Sequence, residues 1–189
     1  MKFAFLIFNG MTSLDFIGVY DPLTRLKTMK FRDDVSWDIC GFTENVSDDS
    51  GLVFTPTKVK GNLESYDLLV VPGGLGTRKL RHDMEFIHWL KSAQNCPLKA
   101  SVCTGSLLLG AAGFLKGKKA TTHPNAFPEL KEYCGEVLDQ RIVSEDGVVT
   151  ARGVASGIDL GLYLCEKIAG HEVKEKIRIQ MDYKTEDAR

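Results

Sequence analysis

Two rhythms of hydrophobic positions divide the chain. Runs such as FAFLIF at 3–8 and DLLVV at 67–71 are apolar almost throughout, the pattern of strands buried on both faces. VSWDICGF (35–42), KASVC (99–103), KKATT (118–122) and VVTARG (148–153) complete the strand-like set. Between them apolar residues recur at helical spacing over about 14–28, 83–95, 104–113, 125–133 and 156–169, and a charged amphipathic segment follows over 171–182. Strand alternating with helix predicts an α/β fold, a mainly parallel sheet with helices on both faces, in one domain spanning 1–189. Two polar stretches, 45–56 and 141–153, carry Asp49-Ser50-Gly51 and Glu145-Asp146-Gly147 inside β-like sequence. They predict hairpins attached to that sheet.

Composition narrows the partners. With 189 residues, 43% of them hydrophobic, the chain can bury one core of full size. A formal net charge of -1, with cations scattered among acids, gives no basic footprint for nucleic acid or an anionic membrane, so a small molecule or another protein is the expected partner. The opening MKFAFLIF runs into Asn9-Gly10 without a small-residue cleavage site and reads as a first strand rather than a signal peptide. No stretch approaches the roughly 20 apolar residues of a membrane helix. The cysteines, Cys40, Cys96, Cys103, Cys134 and Cys165, are odd in number, widely spaced and without a C-x-x-C pair, so neither a disulfide framework nor a zinc site is expected. A soluble, cytoplasmic protein is the reading these features support.

In an open parallel sheet, ligands gather at the carboxyl ends of the strands. Four such ends are distinctive: NGMTSLD (9–15), VVPGGLG (70–76), SVCTGS (101–106) and ATTHP (120–124). A strand, Cys103, Thr104-Gly105 and then a helical run have the layout of a nucleophile elbow. The helix would turn its amides and positive dipole end toward the sulfur and favour thiolate. The plainer alternative is a thiol buried at a tight junction. Pro72-Gly73-Gly74-Leu75-Gly76 can turn bare N–H groups toward a neighbouring site as an oxyanion hole, or simply make a turn; the lysine and Ser/Thr of a phosphate loop are missing. Asp15 offers an acid or base, and beside a thiolate its proton affinity would rise. It equally fits a capping box in Thr12-Ser13-Leu14-Asp15. His123 can pair with Cys103 as base or cation, or serve structure. His82, His88 and His171 read as surface residues, and Asp159 as a structural one.

Taken together, Asp15 with Gly18 and Asp21, VVPGGLG, SVCTGSLLLGAAGFLKGKKATTH and GVASGIDLGLYL give a chain that resembles the ThiJ/PfpI superfamily of glutamine-amidotransferase-like proteins along almost its whole length. Within it the look is that of the isonitrile hydratase branch and of the related N-terminal domain of certain AraC-type regulators. The resemblance implies a flavodoxin-like three-layer sandwich, usually a homodimer, with a cysteine on a strained elbow beside a carboxylate. Carried onto this chain, Cys103 is the nucleophile and Asp15 the carboxylate. Gly73, Gly74, Leu75 and Thr104 line the pocket or its oxyanion site, with His123 and Val154 as further candidates. The implied reaction is hydration of an isonitrile to an N-formamide, with no metal and no organic cofactor.

Other branches fit less closely. The protease and chaperone-like members place a histidine directly after the cysteine, where this chain has Thr104, and an amidotransferase triad wants His-x-Glu late in the chain, where His171-Glu172 has the wrong spacing. The glyoxalase and deglycase branch shares the TTHP context but typically has glutamate at the position of Asp15, and remains the enzymatic rival. Arg152 stands where the hydratase-like pattern has a small residue, which puts an extra cation near the expected pocket mouth. A regulator would carry a DNA-binding module of about a hundred residues, which is not expected after the charged helix. A low-pKa cysteine acting as an oxidation sensor is the non-enzymatic alternative.

Overall fold

The apolar runs become the middle of a seven-stranded sheet. The computed structural model describes residues 1–184; residues 185–189 of the expected domain lie outside it. In chain order the strands are β1 (Lys2–Ile7), β2 (Ser36–Gly41), β3 (Val46–Ser47), β4 (Val53–Phe54), β5 (Lys58–Val59), β6 (Leu68–Val71), β7 (Leu98–Val102), β8 (Lys119–Ala120), β9 (Glu136–Val137), β10 (Ile142–Glu145) and β11 (Val148–Ala151). The main sheet has the order β10-β11-β7-β6-β1-β2-β5. Its pairings are all parallel except that of β10 with β11.

Helices surround this sheet: α1 (Ser13–Thr28), α2 (Thr77–Leu80), α3 (Met84–Lys91), α4 (Gly105–Ala111), α5 (Phe127–Leu130), α6 (Ser156–Ala169) and α7 (His171–Gln180). This is the flavodoxin-like arrangement the sequence suggests. Phe3, Ala4, Phe5, Leu6 and Ile7 are all fully buried, because a strand in the middle of a sheet with helices on both faces has no solvent side. Helix α1 packs closely on α6, where Gly18 meets the backbone of Gly157. No helix among the described residues is long and apolar enough to cross a membrane.

Three local expectations are corrected. The hairpin within 45–56 forms a two-stranded sheet of its own, β3 with β4, while the one within 141–153 does join the main sheet through β11. KKATT contributes only Lys119 and Ala120 as strand, paired with β9 in another small sheet. The edge of β7 that it would have joined is already occupied by β11. The helical pattern over 125–133 shortens to a 3-10 turn at Pro124–Ala126 and the single turn α5; Pro124 and Pro128 both lack the N–H a continuing helix needs. The segment 83–95 holds as α3, capped by the Asp83 carboxylate on the amides of Glu85 and Phe86, then tightens into a 3-10 turn at Ser92–Asn95.

From β1 the sheet grows through β2 in one direction and through β6 and β7 in the other. That reversal opens a crevice at the carboxyl ends of β1, β6 and β7. The loops holding Asn9–Thr12, Pro72–Gly76 and Cys103–Thr104 meet there.

Candidate active site

Cys103 follows the last residue of β7 and has φ 54°, a left-handed conformation costing a non-glycine residue on the order of 1–3 kcal/mol. Hydrogen bonds hold it there from both sides. Its N–H donates to the carbonyls of Ala151 (3.0 Å) and Arg152 (2.7 Å) at the end of β11. Its carbonyl accepts from Thr122 Oγ1 (2.9 Å) and Ser106 Oγ (3.1 Å). The thiol is thereby fixed at the head of α4, with only 6% of the residue exposed. Cys40, Cys96 and Cys165 are buried core residues without this backbone, and Cys134 is half-buried.

Asp15 sits behind the thiol, fully buried in the first turn of α1. One carboxylate oxygen, Oδ2, accepts the Gly73 N–H at 2.9 Å, and Oδ1 has no hydrogen-bond partner among the described residues. The capping-box reading is therefore corrected, since no side chain caps α1. Thr12 Oγ1 donates to Asp49 (3.1 Å) and Ser13 Oγ to Asp48. Carboxylates of the β3–β4 hairpin thus take up the hydroxyls at this helix end and leave Asp15 free to turn inward.

Electrostatics tie the two groups together. Burial pushes Asp15 up to about 7; the Gly73 N–H and Cys103 oppose the rise and Asp49 adds to it. Burial likewise pushes Cys103 up to about 12, helped by the nearby charge of Asp15 and resisted by the N–H and hydroxyl of Thr104. The expected lowering of the thiol by helix α4 is thus outweighed by desolvation and a like charge. The two titrations are coupled, since the charge of Asp15 raises the proton affinity of the thiol. Passage of the thiol proton to Asp15 would generate the thiolate.

The glycine turn fits around this centre. A Cβ on Gly73 would lie 2.6 Å from the Thr104 nitrogen and 2.8 Å from both Asp15 Oδ2 and Cys103 Cβ, so only glycine passes between acid and thiol. Gly74, at φ 128°, donates its N–H to Thr104 Oγ1 (3.0 Å), and that hydroxyl donates back to the Gly74 carbonyl (3.1 Å). Both glycine amides are accordingly engaged by Asp15 and Thr104. The next amide, that of Leu75, makes no hydrogen bond among the described residues.

A cavity of about 240 Å³ opens over the sulfur and brings together Gly74, Leu75, Cys103, Thr104, His123 and Val154. Asp15 and Gly73 lie behind it. Sequence reading missed Thr12, Asp49, Arg78 and Asn125 in the wall, polar residues that no motif distinguishes from ordinary surface. His123 Nδ1 accepts the Asn125 N–H at 3.2 Å. The neutral ring therefore carries its proton on Nε2 and offers a donor rather than a base. Arg152 is corrected: it pairs with Asp139 (2.5 Å), lies 5.9 Å from the Phe127 ring centre, and is not among the residues lining this cavity. Asp159 is structural, bonded to Arg141 (2.6 Å) and the Tyr183 hydroxyl (2.9 Å) beside a separate, larger cavity near α6 and α7. Among the described residues no group of three His, Cys, Asp or Glu side chains is arranged to hold a metal ion.

A doubly flanked parallel sheet with a left-handed cysteine at the switch of strand order, and a buried carboxyl behind it, defines a cysteine-elbow α/β protein. The chain belongs to the DJ-1/PfpI family, whose model matches residues 1–167. It is 33% identical to the isonitrile hydratase of Pseudomonas putida over 97% of this chain and 78% of that protein. It is 30% identical to the glutathione-independent glyoxalase DJ-1 of Schizosaccharomyces pombe, over 58% of this chain and 58% of that one. The crystal structure of a ThiJ/PfpI family protein from Pseudomonas syringae has a TM-score of 0.90 and 28% identity, covering 100% of this chain and 77% of that one.

Proposed function

We propose that the protein is an enzyme that hydrates a small isonitrile to an N-formamide, with Cys103 as nucleophile and Asp15 as proton carrier. The observation that carries this reading is the buried Asp15 carboxyl, one oxygen tied to Gly73 and the other unpartnered among the described residues, beside a thiol whose proton affinity its charge raises. A protonated carboxyl can donate through that free oxygen, and a thiolate supplies the electron pair. The similarity to an isonitrile hydratase supports the choice of electrophile.

In the proposed sequence the Cys103 sulfur forms a bond to the terminal carbon of the isonitrile while Asp15 gives its proton to that carbon. The product is an enzyme-bound thioimidate and an Asp15 carboxylate. Asp15 then takes a proton from water as the water oxygen adds to the same carbon, and the nitrogen receives the second water proton. Collapse of the tetrahedral species breaks the C–S bond, releases the formamide and restores thiolate and protonated Asp15. The free Leu75 N–H and the Thr104 N–H are the donors for charge developing at nitrogen or oxygen. No metal or organic cofactor enters this scheme, and the enzyme proposed is a cytoplasmic one of one domain working as a homodimer.

Cys103→Ser and Asp15→Asn should each abolish formamide release from a short alkyl isonitrile, measured by chromatography. Wild-type product from Cys103→Ser would refute the mechanism. The glyoxalase relative gives the competing reading: turnover of methylglyoxal by a protein inert to every isonitrile would move the assignment there. Light scattering in solution tests the dimer.

A further inference from the structure

The cavity that holds the thiol is also lined by hydrogen-bond donors, Arg78, His123 and Asn125 among them. Arg78, on the single turn α2, is held through Nε by Glu129 Oε1 at 3.4 Å. The same carboxylate also serves Arg81, whose Nη1 is 2.8 Å from Oε2, so two cations share one anion. Neither terminal nitrogen of Arg78 has a hydrogen-bond partner among the described residues, nor has the Asn125 side-chain amide. His123 lines the same cavity. The turn carrying Arg78 is rigid: Thr77 Oγ1 donates to the Gly74 carbonyl at 2.7 Å, and the Gly76 N–H to Gly10 at 2.9 Å.

One acidic residue, Asp49, also lines the cavity, but it belongs to the hairpin side and is engaged by Thr12 and Ser50. At about 240 Å³ the space is below the roughly 300–1,000 Å³ common for drug-sized ligands, so little more than a reacting group and one recognition group fits. A guanidinium with both terminal nitrogens free is suited to bidentate contact with a carboxylate.

We propose that Arg78 makes this pocket selective for an isonitrile bearing a carboxylate, with the isonitrile carbon at Cys103 and the carboxylate on the Arg78 guanidinium. The substrate class rests on the hydratase reading; the anion preference rests on Arg78 alone. The test compares 3-isocyanopropanoate with its methyl ester on the wild type, Arg78→Gln and Arg78→Lys. The wild type should favour the acid over the ester in kcat/KM by about tenfold, the size of a half-exposed charge-assisted contact, mainly through KM. Arg78→Gln should bring the ratio close to one, and Arg78→Lys should restore part of it. A ratio that Arg78→Gln leaves unchanged, or a wild type indifferent to the acid, overturns the proposal.

If no isonitrile is turned over, the hydratase reading falls but the anion preference is still measured. The rate of Cys103 alkylation by iodoacetate relative to iodoacetamide, followed by peptide mass, should drop several-fold in Arg78→Gln. An unchanged ratio there overturns it too.

Discussion

Replacing Asp15 by asparagine should make the protein more stable at pH 8 while removing its activity. Asp15 is fully buried, and its carboxyl is displaced from 3.8 to about 7, chiefly because burial disfavours the charged form. Between those values the folded protein binds more protons than the unfolded chain, so stability is fullest below the unfolded value and is lost as the pH rises through the folded one. At about 1.4 kcal/mol for each tenfold change in proton affinity, the displacement amounts to about 4 kcal/mol lost by pH 8. Asparagine does not ionise, matches aspartate in volume, and still offers an oxygen to the Gly73 N–H. Urea titrations from pH 4 to pH 8 should show wild-type stability declining and that of Asp15→Asn staying nearly level. The variant should lead by about 2–4 kcal/mol at pH 8, the lower bound allowing for a less well placed amide. Parallel pH curves for the two proteins, or a wild type more stable than Asp15→Asn at pH 8, would refute the reasoning.

Further outcomes follow from the same geometry. Gly73→Ala should reduce formamide production at least a hundredfold, about 2.7 kcal/mol of transition-state stabilisation, because its methyl group separates Asp15 from Cys103; steady-state kinetics on a folded variant checks this. Hydration should rise with pH through about 7 and then stay level, as Asp15 and Cys103 together lose their first proton near 7 and their second near 12; a bell centred below pH 6 contradicts it. In Asp15→Asn the like charge beside the sulfur is gone, so the midpoint of iodoacetamide alkylation at Cys103 should move to lower pH than in the wild type. Thr122→Val removes one of the two hydroxyls holding the Cys103 carbonyl and should lower stability by about 1–2 kcal/mol, read from urea unfolding.

The sheet was legible because its buried strands are written as apolar runs, and the elbow because a cysteine between strand and helix is an uncommon arrangement. The short elements were not. Lys119 and Ala120 look like any strand end, and nothing local says that β11 already holds the edge of β7. Asp15 fitted a cap equally well, since the deciding partners, Asp48 and Asp49, arrive from a hairpin more than thirty residues later. The roles of the glycine amides also required the fold, because Gly73 and Gly74 meet Asp15 and Thr104 only when β1, β6 and β7 stand side by side. Arg78 and Asn125 belong to no motif, and only the folding of α2 and the 124–126 turn around the thiol makes them neighbours.

The gap that Gly73 keeps open also divides the site into a part that tolerates change and a part that does not. Below the sulfur, Asp15, Gly73 and the Thr104 nitrogen lie within about one methyl group of each other, so a larger residue at the glycine would part proton from nucleophile. Above it, the side chains of Leu75, Arg78, Asn125 and Val154 line the cavity, where substitution reshapes the ligand without touching the reacting atoms. The rim can therefore vary while the contact between Asp15, Gly73 and Cys103 stays as it is.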